Sequence, residues 1–321
     1  MVIMRRLLYL LCTALIASSC NKDGVIGAST EEFYRPKNSY SLARASEVFE
    51  YTPAPGQFIN ETATGGFTGN EKSPEAAAEY AMQRLKKELF VSLGAFGGYI
   101  VVGFDHSIDN NPGYDFAIKG NSFDGSSEPG IVWVMQDQNG DGLPNDTWYQ
   151  LRGSESGLAT TIENHEVTYY KPEAPGMAVL WRDNRGASGE VDYLAAYHKQ
   201  DYYYPAWIEA PSYTLKGTAL EPRNYDKSGN GTYWVQPHYD WGYVDNYSPT
   251  DLDKATDSPT KGCNLFDISN AMESNGSAHQ LQYIDFIKVQ TAVNTKSGWL
   301  GENSTEVFGF YDYSMISAGN L

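Results

Sequence analysis

The sequence predicts an all-β protein, a β-sandwich of jelly-roll type with one accessory helix and long loops. Short segments rich in Val, Ile, Tyr, Phe and Trp recur along the chain, separated by Asn, Gly and Pro. Only one stretch reads as a helix. Strands and helices do not alternate, which argues against a parallel α/β sheet and for stacked antiparallel layers.

Taken in order, MVIMRRLLYLLCTALIASSC opens with Arg5 and Arg6, runs apolar from Leu7 to Ile16 and closes on small residues before Cys20. Residues 1–20 are therefore expected to be a lipoprotein signal peptide, with Cys20 lipidated. Residues 21–40 follow as a polar, flexible tether, and residues 41–321 as a single β-sandwich domain. Of three cysteines, Cys12 leaves with the signal and Cys20 takes the lipid, so Cys263 has no intramolecular partner. Disulfides cannot hold this fold, and Cys263 is read as a small buried apolar residue. The segment Val91 to Phe104 is too short and too interrupted by glycine to cross a bilayer. Membrane association is thus expected through the lipid anchor alone.

The helix is expected over Ser73 to Phe90. Ser73 can cap it, Pro74 suits the first helical position, and Tyr80, Ala81, Leu85 and Leu89 fall near one stripe. Strands are expected at Tyr99–Phe104, Tyr114–Lys119, Ile131–Met135, Trp148–Arg152, Val167–Lys171, Val179–Arg182, Ser212–Lys216, Leu281–Gln290 and Glu306–Phe310. The long strand LQYIDFIKVQ reads as apolar on both faces, as a central strand covered on each side would be.

Between the third and fourth of these strands lies DQNGDGLPNDTWY. Oxygen side chains at Asp137, Asn139 and Asp141 alternate beside Gly142, as in a short loop that wraps a hard cation. The twelfth position is Trp148 instead of a bidentate Glu. Asp146 is a substitute carboxylate and the Leu143 carbonyl a further ligand, so structural Ca2+ is expected. The bland reading is a hairpin turn built from Asn139-Gly140 and Asp141-Gly142.

Residues 187–259 change character, with tyrosines, tryptophans and prolines crowded into loop-like sequence. This is either an aromatic-lined insertion or a loop-rich part of the same core. Tyr202, Tyr203, Tyr204, Trp207, Trp234, Trp241 and Tyr243 are the candidate ligand-binding face, offering flat rings with polar edges to a sugar or a corrin macrocycle. The alternative is that most of them fill the core. His238 is a candidate contact to a corrin or its cobalt, although a single His without companion ligands is a weak metal signal.

Formal charge is −17, and loss of residues 1–20 removes two arginines and no acid, giving −19 for the mature chain. Nucleic acid and other polyanions are excluded as partners. With about 280 residues after the tether, the chain can bury one large β core or two smaller ones. GxSxG, HExxH, phosphate-cradling and CxxC patterns are absent. A glycosidase needs only two carboxyls, which forty acids supply without singling out a pair.

The block SLGAFGGYIVVGFDHSIDNNPGYDFAIKGNSFDGSSEPGIVWVMQDQNGDGLPNDTWYQLRGSE resembles a galactose-binding-like jelly roll of bacterial cell-surface proteins. In that family a glycine-rich strand, a DF-strand ending in GN, an SSEPG turn and a WY-strand follow one another. The likeness continues through FDISNAMESNGSAHQLQYIDFIKVQTAV and GENSTEVFGF, and covers about two thirds of the mature protein. Gly97, Gly98 and Gly103 suit close strand packing, and Asn121 and Glu128 are polar turn groups placed to brace loop ends. Similar domains occur among surface lipoproteins of gut Bacteroidetes associated with corrinoid (cobalamin) capture. The resemblance therefore implies a non-enzymatic lipoprotein, anchored in the outer membrane and facing outward, that captures a corrinoid ahead of an outer-membrane transporter. After the lipidated cysteine, Asn21-Lys22-Asp23-Gly24 offers one acid towards the short acidic surface-export patch usual in that group. A glycan-binding module on the same fold is the alternative, and a glycan-active hydrolase the third reading.

Overall fold

A computed structural model of the chain describes residues 32–65 and 67–317. The expected signal peptide, Cys20 and the first part of the tether lie outside the described residues.

In chain order the strands begin with β1 (Glu47–Thr52), β2 (Val91–Ser92), β3 (Tyr99–Asp109), β4 (Phe116–Lys119), β5 (Gly130–Met135) and β6 (Tyr149–Leu151). They continue with β7 (Ile162–Tyr170), β8 (Val179–Asp183), β9 (Ser188–Val191), β10 (Ser212–Ala219), β11 (Tyr225–Asp226) and β12 (Trp234–Val235). The last are β13 (Cys263–Phe266), β14 (Ala271–Met272), β15 (Tyr283–Thr291), β16 (Glu306–Val307) and β17 (Gly309–Asp312). The helices are α1 (Thr62–Gly65), α2 (Pro74–Leu85) and α3 (Tyr313–Ser317). Each segment expected as a strand contains one, with bounds moved by up to five residues, but Glu306–Phe310 is divided between β16 and β17, which belong to different sheets.

The strands form antiparallel sheets, and the fold is a jelly-roll-like β-sandwich. A six-stranded sheet of order β1-β3-β15-β5-β6-β14 faces a three-stranded sheet β13-β4-β17. Ile100, Val102, Val132, Val134, Ile287 and Val289 from the first meet Phe116, Ile118, Phe266 and Phe310 from the second in the main core. This is the burial that period-2 patterning demands. Close packing explains the glycine-rich start of β3: a Cβ on Gly98 would lie 1.8 Å from the Leu93 carbonyl oxygen.

A four-stranded sheet, β10-β7-β8-β9, covers part of the opposite face of the six-stranded sheet. Gln290 stitches the two together, its Nε2 donating to the carbonyls of Gly97 and Lys216 at 2.8 and 2.9 Å. β15 is therefore a central strand covered on both sides, as expected, but its second face mixes buried Phe286 with polar residues. Lys288 and Gln290 point there, opposite Ile287 and Val289. The hydrophobic reading of LQYIDFIKVQ weighed the apolar majority and passed over these two residues.

The helix is shorter than expected. Ser73 caps it, its Oγ accepting from the Ala76 amide at 3.2 Å, but α2 ends at Leu85. Glu88 turns the chain with φ 51°, and Arg84 folds back to donate to the Phe90 carbonyl at 2.5 Å. Ala77, Ala78, Ala81, Met82 and Leu85 pack into the main core, while Leu89 is exposed.

The end of the expected tether is fixed to the body. Tyr34 Oη donates to Asp109 at 2.7 Å, Arg35 reaches the Phe104 carbonyl at 2.8 Å, and Lys37 Nζ reaches Asp312 at 3.2 Å. Polar composition had marked residues 34–37 as linker, whereas their long-range hydrogen bonds make them a strap. The aromatic-rich stretch 187–259 contributes buried residues to the cores. Tyr203 and Tyr204 sit with Phe96, Val167, Tyr169 and Val179 in a second core. Cys263 is free and buried, and burial pushes its thiol up to about 12. Among the described residues no helix is long and apolar enough to cross a membrane.

Candidate functional site

The β8–β9 hairpin builds one wall of a large cleft. Its turn is tied by Asp183, whose Oδ1 accepts from the amides of Arg185 and Ala187 at 3.0 and 2.7 Å. Trp181 lies on β8 with its indole against Gly189, its partner across the hairpin. Around it Leu180, Met177 and Tyr170 stand exposed, at 58, 48 and 39%. Together with Pro211 and the segment Asn294–Lys296 these residues enclose a cleft of about 1210 Å³.

Glu302 lies in the lining of that cleft and is itself 3% exposed. Its Oε1 accepts from the Gln57 amide at 2.8 Å, but its buried Oε2 has no partner. Burial raises the carboxyl to about 8, against the opposing pull of the Gln57 amide. A buried polar oxygen without a partner costs about 1–3 kcal/mol, so a ligand group that bonds to it gains what the free protein lacks. Lys296 stands nearby, paired with Asp192 at 2.7 Å and Glu190 at 4.0 Å.

The structure distributes the sequence-predicted aromatics over several places. Tyr203 and Tyr204 are buried in the second core, and Trp207 packs on Tyr51 and Phe67 at 5.7 and 5.9 Å in the main core. Tyr202 is half-buried, with its carbonyl held by Asn60 at 2.7 Å. Tyr243 is buried against Tyr239, and its hydroxyl accepts from the Glu155 amide at 3.0 Å. Trp234 is half-buried on β12 with its Nε1 buried and unpartnered. Trp241 is half-buried beside a 140 Å³ hollow, and His238 is exposed, its carbonyl taken by Arg223 at 2.7 Å. They do not form one face. Proximity along a loop-rich segment does not make neighbours: Trp207, the pair Tyr203 and Tyr204, and Tyr243 lie in three separate cores, while Tyr202, Trp234, Trp241 and His238 lie in none of them.

The Asp137 loop winds as its sequence suggests. Gly140 and Gly142 both adopt φ 73°, and Asp137 accepts from their amides at 2.7 and 2.9 Å. Asn139 accepts from Asp141 at 2.9 Å, Asp141 from Leu143 at 2.8 Å, and Asp146 from Gln138 at 2.8 Å. A carboxylate has about four acceptor positions, so these bonds leave oxygen lone pairs for a hard cation. Among the described residues the acids gathered closely enough to share an ion are Glu128, Asp245 and Glu306, not those of this loop, where Asp141 Oδ2 also accepts from Asn145 at 2.8 Å. The loop is anchored from below, since the Asp137 amide donates to buried Asp285 at 2.8 Å and Phe33 of the strap lies against Gly140.

Another acidic group joins the turns singled out at Asn121 and Glu128. The carboxylate oxygens of Glu128, Asp245 and Glu306 lie within 4.8 Å of one another. Asp245 accepts from the amides of Asn121 and Glu306 at 2.8 and 3.0 Å. Burial first, then mutual repulsion, raises both Asp245 and Glu306 well above the ordinary carboxylate range. Glu128 and Glu306 bond side chain to side chain, which requires a shared proton. This knot braces loop ends. It is not a pair of carboxyls facing each other across an aromatic cleft.

No family model matches the chain, and no curated protein matches it. The cleft must therefore be judged on its own residues. Sequence reasoning found its strands but missed Trp181 and Glu302. Alternation along β8 leaves Leu180 exposed, whereas Trp181 shares the face of buried Val179 and packs half-buried against the second core, so apolar patterning marked it as a core residue. Glu302 carried no local signal, being one of forty acids.

Proposed function

We propose that this chain is a non-enzymatic capture protein that holds a bulky small molecule in the cleft under the β8–β9 hairpin. The observation that carries this reading is the unpartnered Oε2 of Glu302 in the lining of a 1210 Å³ cleft walled by Trp181, Tyr170 and Leu180. The cleft exceeds the range of about 300–1,000 Å³ typical of drug-sized ligands. A corrinoid suits it: the macrocycle lies against the rings, and its peripheral amide carbonyls accept from the protonated Glu302 carboxyl. The resemblance to corrinoid-associated surface lipoproteins supports the same assignment. On this reading the chain is lipid-anchored at Cys20 in the outer membrane, passes its ligand to an outer-membrane transporter, and uses Ca2+ to brace the Asp137 loop.

Isothermal titration with cyanocobalamin tests the proposal. Saturable heat is expected, with Trp181→Ala and Glu302→Ala each weakening binding about tenfold, or about 1.4 kcal/mol. Absence of heat at high micromolar ligand removes the corrinoid. A glycan is the second reading, favoured by the hydroxyl and carboxyl groups of Ser188, Glu173 and Glu190 along the same cleft. Signal on a glycan array without cyanocobalamin heat would transfer the cleft to it.

A further inference from the structure

Met272, Gln150, Trp133 and Lys288 form one row across four adjacent strands of the six-stranded sheet. Their strand neighbours Leu151, Val132, Val134, Ile287 and Val289 point into the main core, so alternation turns this row to the opposite face. There it lines a separate cavity of about 300 Å³, closed by Trp148, by Glu163 at the start of β7 and by Gly217 on β10. The large cleft lies at the other end of the β7–β10 pair, beside Tyr170 and Pro211.

Lys288 is the unusual member. Its Nζ lies 4.8 Å from the Trp133 ring centroid and 4.9 Å from that of Trp148. Among the described residues no carboxylate pairs with it and no carbonyl accepts from it. Burial lowers its pKa to about 8, against the attraction of Glu50. In the same cavity wall Trp133 Nε1 is buried without an acceptor. Two indole faces offset desolvation of the ammonium by about 1–2 kcal/mol each, but they accept no N–H bond in its plane. The wall thus carries two donors with nothing to receive them, in the middle of a strand where an aliphatic residue would pack without penalty.

We propose that this cavity binds a sugar acid, a single hydroxylated ring whose carboxylate is received by the Lys288 ammonium. Its volume stands at the bottom of the range for small-molecule sites, about 300 Å³, which admits one ring and not a macrocycle. Glu163 and Glu273 in the lining select within the anions. They accept from ring hydroxyls, and they repel a phosphate dianion more strongly than a carboxylate. The overall charge of −17 acts in the same direction.

Tryptophan fluorescence and calorimetric titration of the full chain with D-glucuronate, D-glucose and inorganic phosphate test this. Glucuronate should bind saturably, glucose about tenfold more weakly, and phosphate not at all. Lys288→Met should abolish the preference for glucuronate over glucose. Lys288→Arg, which keeps the charge, should preserve it. Glu163→Gln, on an exposed rim position where folding is not at risk, should admit phosphate. The proposal is overturned if none of the three ligands binds saturably, if phosphate outcompetes glucuronate on the unaltered chain, or if Lys288→Met leaves the preference intact.

Discussion

Because burial raises the Glu302 carboxyl from 4.5 to about 8, the folded chain between those values holds a proton that the unfolded chain has released. Stability from this group is therefore fully present below pH 4.5 and is lost as pH rises through about 8. Glu302→Gln keeps an oxygen for the Gln57 amide and cannot ionise. Its melting temperature should match the parent near pH 4.5 and exceed it above pH 8; parallel pH profiles would refute this. Asp312 acts with the opposite sign. Burial alone would raise it, but His106, Ser314 and Lys37 outweigh burial and hold it at about 2, so its contribution is present above 3.8 and lost as pH falls towards 2. None of this was legible residue by residue. Glu302 is buried because the chain around Gln57, far away in sequence, folds over it.

At the scale of elements the sequence was most informative where side chains alternate. The expected strands are present because Val, Ile and aromatic residues at every second position leave little choice of face. β1 escaped notice, since EVFEYT has glutamates at both exposed positions and only a short apolar register. The helix overran because α-helical composition continues past Leu85, while the positive φ that ends it falls on Glu88, a residue with no preference for that conformation. The Asp137 loop takes the tight turns that its Asn139-Gly140 and Asp141-Gly142 pairs dictate. If Ca2+ fills it, free ion at about 100 times its dissociation constant adds about 2.7 kcal/mol, and chelation should lower the melting temperature by about 5 °C. Asp141→Asn should remove that dependence. Equal melting temperatures with and without chelator would leave the loop as a self-sufficient turn, and corrinoid affinity unchanged by chelator would assign the ion to structure alone.

Over the whole molecule, what the sequence could not convey was assembly. The aromatics of residues 187–259 looked like one surface because they are adjacent in the chain, yet tertiary packing sends some of them to separate cores, and the cleft is lined from segments more than a hundred residues apart. The strap was hidden for the same reason, since its partners are all distant. Asp285 of β15 gathers them: it is 1% exposed and accepts from Arg35 at 3.0 Å, from Ser107 at 2.6 Å and from the Asp137 amide at 2.8 Å. Removing it leaves these donors unmatched, so Asp285→Ala should cost about 3 kcal/mol in denaturant unfolding, with Asp285→Asn costing less. A loss under about 0.5 kcal/mol, the usual range for surface substitutions, would mean that the strap contributes nothing. The same connection decides where a mechanical load enters. A pull on the chain ahead of residue 32 reaches Arg35 and then, through Asp285, a strand bonded to β3 on one side and β5 on the other. Two ladders must part before that strand can peel, so traction from this end is resisted by the middle of the sheet instead of unzipping its edge.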